Sequence, residues 1–425
     1  MENENIENNV PVSEPASKDT EADKMLKRRF ISGMLIGALC AMFVFFAGAI
    51  FFILTNGVHA GGQNENGVLN SETVKKVKML ENLVDTNYYK DDVDKSTEAE
   101  GIYKGLIESL GDPYSVYYTA DELEELKAVT KGVYYGIGAY VGMDQEKNVP
   151  VITGIMEGSP AADSGLMEGD IIAEVNKESI QGLTLDEVVA KIKGEKGTSV
   201  HLTLIRDGSV DNVEVDVIRN EIQVPTVTTE LLKDGIGYLK ISEFDEITTD
   251  QFTEGLAELR ASGIKGLMID LRSNPGGNLV TVCDIARQLL PKGNIVYTVD
   301  REGNKQDYTC DGTRQIDIPV VVLINQYSAS ASEILAGAIK DYGIGKLVGV
   351  KTFGKGIVQS VFDLNDGTAV KLTVSDYYTP NGYNIHGIGI EPDVEVELDI
   401  EKAQRDKIDN QKEKAIEVMK ELIDK

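Results

Sequence analysis

The chain reads as an α/β protein built on a parallel sheet, and three observations predict this. From Ile236 onward, short β-branched runs alternate with helical apolar spacing, as they do when crossover helices join parallel strands. Two of those runs, Gly266-Leu267-Met268-Ile269-Asp270-Leu271 and Val320-Val321-Val322-Leu323-Ile324, are almost unbroken apolar sequence, which fits strands covered on both faces. Between Gly132 and Asn220 the pattern changes to many short strands and small turns, the mark of a separate unit inserted in the chain.

The elements follow in order. Residues 1–29 form a polar tail, acidic and disordered over its first 23 residues, that is expected to be cytoplasmic. Residues 30–55 are apolar and long enough to cross a bilayer as one transmembrane helix. Lys24, Lys27, Arg28 and Arg29 precede that segment and no Lys or Arg follows until Lys75, so the bulk of the chain is expected outside the cell. Val58-His59-Ala60 also resembles a cleavage site, and a cleaved segment would make the protein secreted; the length of the apolar run favours the anchor. A linker at 56–70 leads to a helical region at 71–131. Val74, Val77, Leu80 and Val84 stripe one helix, Ile102, Leu106 and Leu110 a second, and Thr119 with Glu122 fits a capping box for a third.

Composition narrows the partners. With 425 residues and 42% hydrophobic content the chain can bury more than one core. A net charge of −28 repels a phosphate backbone and argues against nucleic acid. Cys40, Cys283 and Cys310 show neither metal-ligand spacing nor a disulfide framework, although a Cys283–Cys310 bridge stays open. No cofactor or metal is called for. The three histidines, His59, His201 and His386, stand in unrelated contexts, and His386 is retained only as a contact on the substrate side.

The chemistry concentrates near the second buried strand. Ser328-Ala329-Ser330-Ala331-Ser332-Glu333 falls at the start of a helix carrying Ile334, Leu335 and Ile339, and Phe353-Gly354-Lys355-Gly356-Ile357-Val358-Gln359 is expected at the end of the next strand. A serine at a helix start is usually an N-cap, and a lysine between glycines is usually a surface charge. Their conjunction offers a nucleophile and a base, provided the lysine is held neutral. The first-turn amide of Ala331 can face a developing oxyanion, and so can the loop Arg272-Ser273-Asn274-Pro275-Gly276-Gly277, whose glycines allow close approach.

These motifs resemble the carboxyl-terminal processing proteases, from about residue 66 to the C-terminus. The resemblance implies Ser330 as nucleophile, Lys355 as base and Gln359 as the residue positioning that lysine; with those roles, backbone amides near Gly276 or Gly277 and at Ala331 are expected to hold the oxyanion. Glu333, which some relatives implicate, ranks below Gln359 because a Glu in a first helical turn is equally explained by the helix dipole. It further implies a crotonase-like core at 221–399, a C-terminal helix at 400–425 with Ile408, Ala415, Met419 and Leu422 on one face, and a homodimer in which N- and C-terminal helices form an arch. Residues 132–220, with Gly136-Ile137-Gly138-Ala139, Gly169-Asp170-Ile171 and the helix Leu185-Asp186-Glu187-Val188-Val189, look like a PDZ domain interrupting the protease body. Its loop Gly136, Ile137 and Gly138 is expected to bind the C-terminus of a protein or peptide, an apolar one. Ala139 departs from the bulky residue usual there.

Two other readings are open at this stage. One is a PDZ peptide-binding adaptor with an inactive protease body. The other places a penicillin-sensitive nucleophile at Ser262, since Ser262-Gly263-Ile264-Lys265 matches S-x-x-K. That motif needs its serine at a helix start, whereas Ser262 follows a predicted helix and Gly263 fits its C-cap.

Overall fold

The apolar runs become the centre of a six-stranded sheet ordered Val227–Leu231, Ile236–Ile241, Gly266–Asp270, Val320–Ile324, Gly345–Gly349, Val394–Glu395 in this computed structural model. It describes residues 67–90, 93–144 and 147–425. The expected tail, the transmembrane segment 30–55, His59 and Cys40 lie outside them; among the described residues no helix is long and apolar enough to cross a membrane. The chain divides into two units, Met1–Lys95 and Ser96–Lys425. In the first, the helix Ser71–Asn87 is capped by Asn70, whose side chain accepts from the amides of Glu72 and Thr73, and none of its residues is buried.

All pairings in the six-stranded sheet are parallel except the first. Because side chains alternate along a strand, a run apolar at every position must be covered twice. Leu267, Ile269, Val320, Val322 and Ile324 face the core built with helices Thr248–Ala261, Leu279–Ala286 and Ala331–Tyr342. Met268, Val321 and Leu323 face Ala415, Val418 and Met419 of the helix Asn410–Ile423.

That second packing corrects the expected C-terminal helix. It is broken into Ile400–Arg405 and Asn410–Ile423, with Ile408 outside both, because Asp409 caps the second helix by accepting from Lys412 N at 3.0 Å and Lys407 turns the chain with φ 58°. Its apolar face is spent on the chain's own sheet. Arg272 holds the junction, bonding Asp409 at 2.9 and 2.7 Å, Gln411 at 3.1 Å and Asp270 at 2.7 Å. The Asp-Leu-Arg segment is thus a clasp between sheet and helix.

A second, antiparallel sheet of five strands contains Val116–Tyr118, Gly293–Asp300, Lys305–Cys310, Ile357–Asp363 and Ala369–Tyr378. The last two form a hairpin across Asn365-Asp366-Gly367. Val116–Tyr118, inside the region expected to be helical, pairs with Ala369–Tyr378, so chain from before residue 132 is part of the protease body. The helix Ala120–Lys131 has the expected capping box, with Thr119 N donating to Glu122 at 2.9 Å. The stripe Ile102, Leu106 and Leu110 is about half exposed rather than core. Lys355 lies in an irregular stretch before the strand Ile357–Asp363 and not at a strand's end. Cys283 and Cys310 are buried free thiols, and burial pushes Cys283 up to about 12.

The inserted unit has its own core, centred on Ile152, Val188 and Leu202. Its two crossings to the protease body touch: Val224 N donates to Gly132 O at 2.8 Å.

Candidate active site

Three serine hydroxyls crowd the start of the helix Ala331–Tyr342, and two are committed. Ser328 Oγ donates to the Leu271 carbonyl at 2.8 Å, and Ser332 Oγ donates to the Asn274 carbonyl at 3.0 Å. Both tie the helix start to the loop after the neighbouring strand. Ser330 Oγ donates to no described group, and Ser330 takes φ 53°, ψ −113°, a backbone that costs a non-glycine residue about 1–3 kcal/mol. A hydroxyl whose proton is uncommitted, on a strained backbone, is the one available to react.

The backbone of Ser330 is joined to that of Lys355 by two fully buried side chains. Glu333 Oε2 accepts from Ser330 N at 2.9 Å and Lys355 N at 2.8 Å, while Oε1 accepts from Gly354 N at 2.7 Å and Thr352 Oγ1 at 2.6 Å. The Tyr377 hydroxyl donates to the Ser330 carbonyl at 2.9 Å and to the Lys355 carbonyl. Sequence reasoning ranked Glu333 below Gln359 and missed Tyr377; the signal for Glu333 was only its place three residues after Ser330.

The Lys355 side chain is oriented differently from the expectation. Its Nζ lies 4.2 Å from the centroid of the Tyr114 ring and has no hydrogen bond to Ser330 Oγ. Burial pulls its pKa below the ordinary lysine value, Lys371 adds to this, and Asp112 opposes it. Gln359 does not bond the lysine: its Nε2 donates to Thr373 Oγ1 at 3.4 Å, and Thr373 Oγ1 donates to Asp112 Oδ2 at 2.6 Å. Burial pushes Asp112 up, yet bonds from Ser115, Thr373 and the Tyr114 amide hold its carboxyl below the usual range.

The anion-facing loop needs one correction. Gly276 N is occupied, donating to Asn274 Oδ1 at 2.8 Å. Gly277 N and Ala331 N donate to no described group and line the cavity that holds Ser330, about 610 Å³ in volume. Gly276 is needed for a different reason: at φ 108°, a Cβ there would lie 2.8 Å from Ser330 Cβ. Leu126 and Val129 of the helix before the insert form part of the cavity, together with Gln359, Lys371 and Tyr377.

Elsewhere, Gly136, Ile137 and Gly138 line a second cavity of about 530 Å³, with Val189 and Ile192 of the helix Leu185–Ile192 and with Val224, Pro225 and Thr228 at the return to the protease body. His386 Nδ1 accepts from Gly356 N at 3.4 Å, next to Lys355 in the chain. Ser262 caps the end of the helix Thr248–Ala261, its hydroxyl donating to Glu258 O at 3.0 Å, which is the wrong end of a helix for an S-x-x-K nucleophile.

The family model "Peptidase family S41" matches residues 235–396, "PDZ domain" residues 126–205, and "Activating protease CtpB N-terminal domain" residues 42–122. The carboxy-terminal processing protease CtpA of Bacillus subtilis (strain 168) is 36% identical over 353 residues, covering 83% of this chain and 75% of its own. The chain belongs to the carboxyl-terminal processing proteases of family S41. It is a serine-type peptidase with a PDZ domain. A carboxyl-terminal-processing protease of Synechocystis sp. is likewise 36% identical, over 319 residues, 74% of this chain and 75% of its own. The solved photosystem II D1 C-terminal processing protease is 31% identical across 75% of this chain and 86% of its own, with a TM-score of 0.44.

Proposed function

We propose that this member of the family is a membrane-anchored extracytoplasmic endopeptidase in which Ser330 is the nucleophile and Lys355 the general base. The observation carrying the assignment is the division of labour among the three serines: Ser328 and Ser332 donate to backbone carbonyls, and Ser330, whose backbone Glu333 joins to that of the partly buried Lys355, keeps its proton uncommitted. In the reaction, neutral Lys355 takes the Ser330 proton, Ser330 Oγ bonds to the substrate carbonyl carbon, and the oxyanion is held by the amides of Gly277 and Ala331. The lysine then gives its proton to the leaving amine, and water, deprotonated by the same lysine, releases the acyl group.

For this chemistry the Lys355 side chain leaves the Tyr114 ring and reaches Ser330, so the arrangement described above is a resting one. Gln359 exchanges Thr373 for the lysine in the working arrangement. The PDZ loop at Gly136, Ile137 and Gly138 takes the carboxylate of an apolar C-terminus. The anchor is the apolar segment 30–55, supported by its length and by the basic residues before it. The exposed Ile102, Leu106 and Leu110 are the surface on which a second copy packs. The core is read as crotonase-like from its alternation of parallel strands and helices.

The test is turnover of an unfolded protein ending in apolar residues. Full activity surviving in Ser330→Ala removes the nucleophile assignment, and cleavage unaffected by a competing apolar C-terminal peptide removes the role given to the PDZ loop.

A further inference from the structure

We infer that Glu243 and Asp245 form a subsite in the cleft beside Ser330 that takes a cationic group of the substrate, a lysine or arginine side chain or a free α-amino group. The inference rests on the reading of that cleft as the channel in which Ser330 acts.

The two carboxylates flank Phe244, whose amide donates to Gly276 O at 2.9 Å and whose carbonyl accepts from Asn278 N at 2.7 Å. They are therefore fixed against the loop that carries the Gly277 amide. Both line the same cavity as Ser330, Gly277 and Ala331. Asp245 is only 6% exposed, and its carboxylate oxygens accept no hydrogen bond; its bonding to the protein runs through its backbone, with its N–H donating to Thr248 Oγ1 at 2.9 Å. A carboxylate that faces the cavity with no partner from the protein, in a residue otherwise enclosed, is charged at a cost that a cation in the cavity would lower. Burial first, and then Glu243, pushes Asp245 up to about 7, and burial raises Glu243 as well.

Among the described residues no group supplies the missing charge. Lys371 lines the cavity, but its Nζ lies 5.3 Å from the Tyr118 ring and pairs with neither carboxylate. Tyr308 and Tyr377 line it as well, and neither forms a hydrogen bond to Asp245. On the helix Ala120–Lys131, Lys127 is paired with Glu124 at 2.8 Å. The loop 276–279 carries no charged residue, and Glu333 in the first turn after Ala331 is committed to the amides of Ser330, Gly354 and Lys355. A metal ion is a poor occupant, since calcium wants about six to eight oxygen ligands and no cluster of three metal-binding side chains exists among the described residues. An organic cation on an extended peptide needs only the two carboxylates, and its arrival would restore Asp245 to the charged form.

The experiment uses the full-length protein and apolar peptides with amidated C-termini, so that the PDZ loop is not engaged. A single lysine is walked along the peptide against a norleucine control at each position, in Nα-acetylated and free-amine series. In the wild type the lysine-to-norleucine ratio of kcat/KM is expected to reach about tenfold at one position. The free-amine series identifies the α-amino group if the gain appears only there. The ratio should fall as pH drops from 8 to 6, because protonated Asp245 no longer attracts a cation, and the ionisation of Lys355 cancels within it. Asp245→Asn and Glu243→Gln should each reduce the gain. Equal rates for lysine and norleucine at every position overturn the subsite while leaving Ser330 in its role. Should nothing be cleaved, the binding of the same peptides to Ser330→Ala decides: a lysine preference of the same size supports the subsite, and no preference or no binding overturns it, while the Ser330 reading is tested separately on the unfolded substrate.

Discussion

Ser330 and Lys355 are 25 residues apart in the chain, yet each depends on the other's surroundings. A lysine serves as base only when neutral, so turnover should rise with pH through the Lys355 pKa, which burial and Lys371 set below the ordinary value. A profile flat from mildly acid to alkaline pH would contradict a lysine base. Lys355→Arg should be as inactive as Lys355→Ala, because arginine stays protonated. Asp245 offers a second pH test with the opposite sign. Its folded pKa, about 7, lies above the unfolded value, so its charge penalises the fold increasingly above about pH 4 and fully above about pH 7. Asp245→Asn should therefore raise Tm at pH 8, by an amount corresponding to about 1–3 kcal/mol, and change it little at pH 4. Equal shifts at both pH values would remove this account. That the segments carrying Ser330 and Lys355 come together was legible from residue type and spacing. The pairing of Gln359 with Thr373 was not, because a side chain's partner depends on the register of Ile357–Asp363 against Ala369–Tyr378, which carries a bulge at Val358/Gln359.

At the scale of elements, Glu333 and Tyr377 determine whether the helix start and the lysine segment stay together. In Glu333→Gln an amide NH₂ replaces one oxygen, so it faces backbone N–H donors of the site and leaves at least one buried donor unpaired, at a cost of about 1–3 kcal/mol. The expected outcome is a lower Tm and a kcat reduced about tenfold or more, with little change in KM. Unchanged kcat would show that the two backbones hold together without it. Buried strands were legible because Gly266–Asp270 and Val320–Ile324 are apolar throughout. The strand Val116–Tyr118 was not, since three residues carry no measurable period, and its assignment comes from pairing with a strand more than 250 residues later. The break in the C-terminal helix was hidden for a related reason: the local pattern runs on through Ile408, and only the bonds between Asp409 and Arg272 fix the new start.

Across the molecule, the insert meets both cavities through its connections. The helix that leads into it lines the Ser330 cleft with Leu126 and Val129, and the return segment lines the peptide cavity with Val224, Pro225 and Thr228. Gly132 sits at the entry with φ 76°, where a Cβ would fall 2.8 Å from Asp245 Cβ and 2.6 Å from Ile247, so a small shift of the insert is felt at the cleft wall. A coupling of about 1–3 kcal/mol between peptide binding and the working state changes activity about 5- to 150-fold. Replacing residues 132–220 with a short Gly/Ser bridge should give either constitutive or lost cleavage, with no response to C-terminal peptides. A deletion variant that cleaves at the wild-type rate and still responds would reduce the insert to a tether. The interruption of the protease body was legible from the change in strand length at Gly132; that its hinges border both cavities required the fold.

The most direct measurement compares wild type with Ser328→Ala, Ser330→Ala and Ser332→Ala on a fluorescent unfolded substrate, with Tm recorded for each. Loss of the hydroxyl at 328 or 332 removes a bond to a buried carbonyl and should lower Tm while leaving cleavage detectable. Loss at 330 should abolish cleavage and change Tm less, since that hydroxyl donates to no buried carbonyl. Cleavage that survives in Ser330→Ala and vanishes in either neighbour would contradict the assignment on which the mechanism stands.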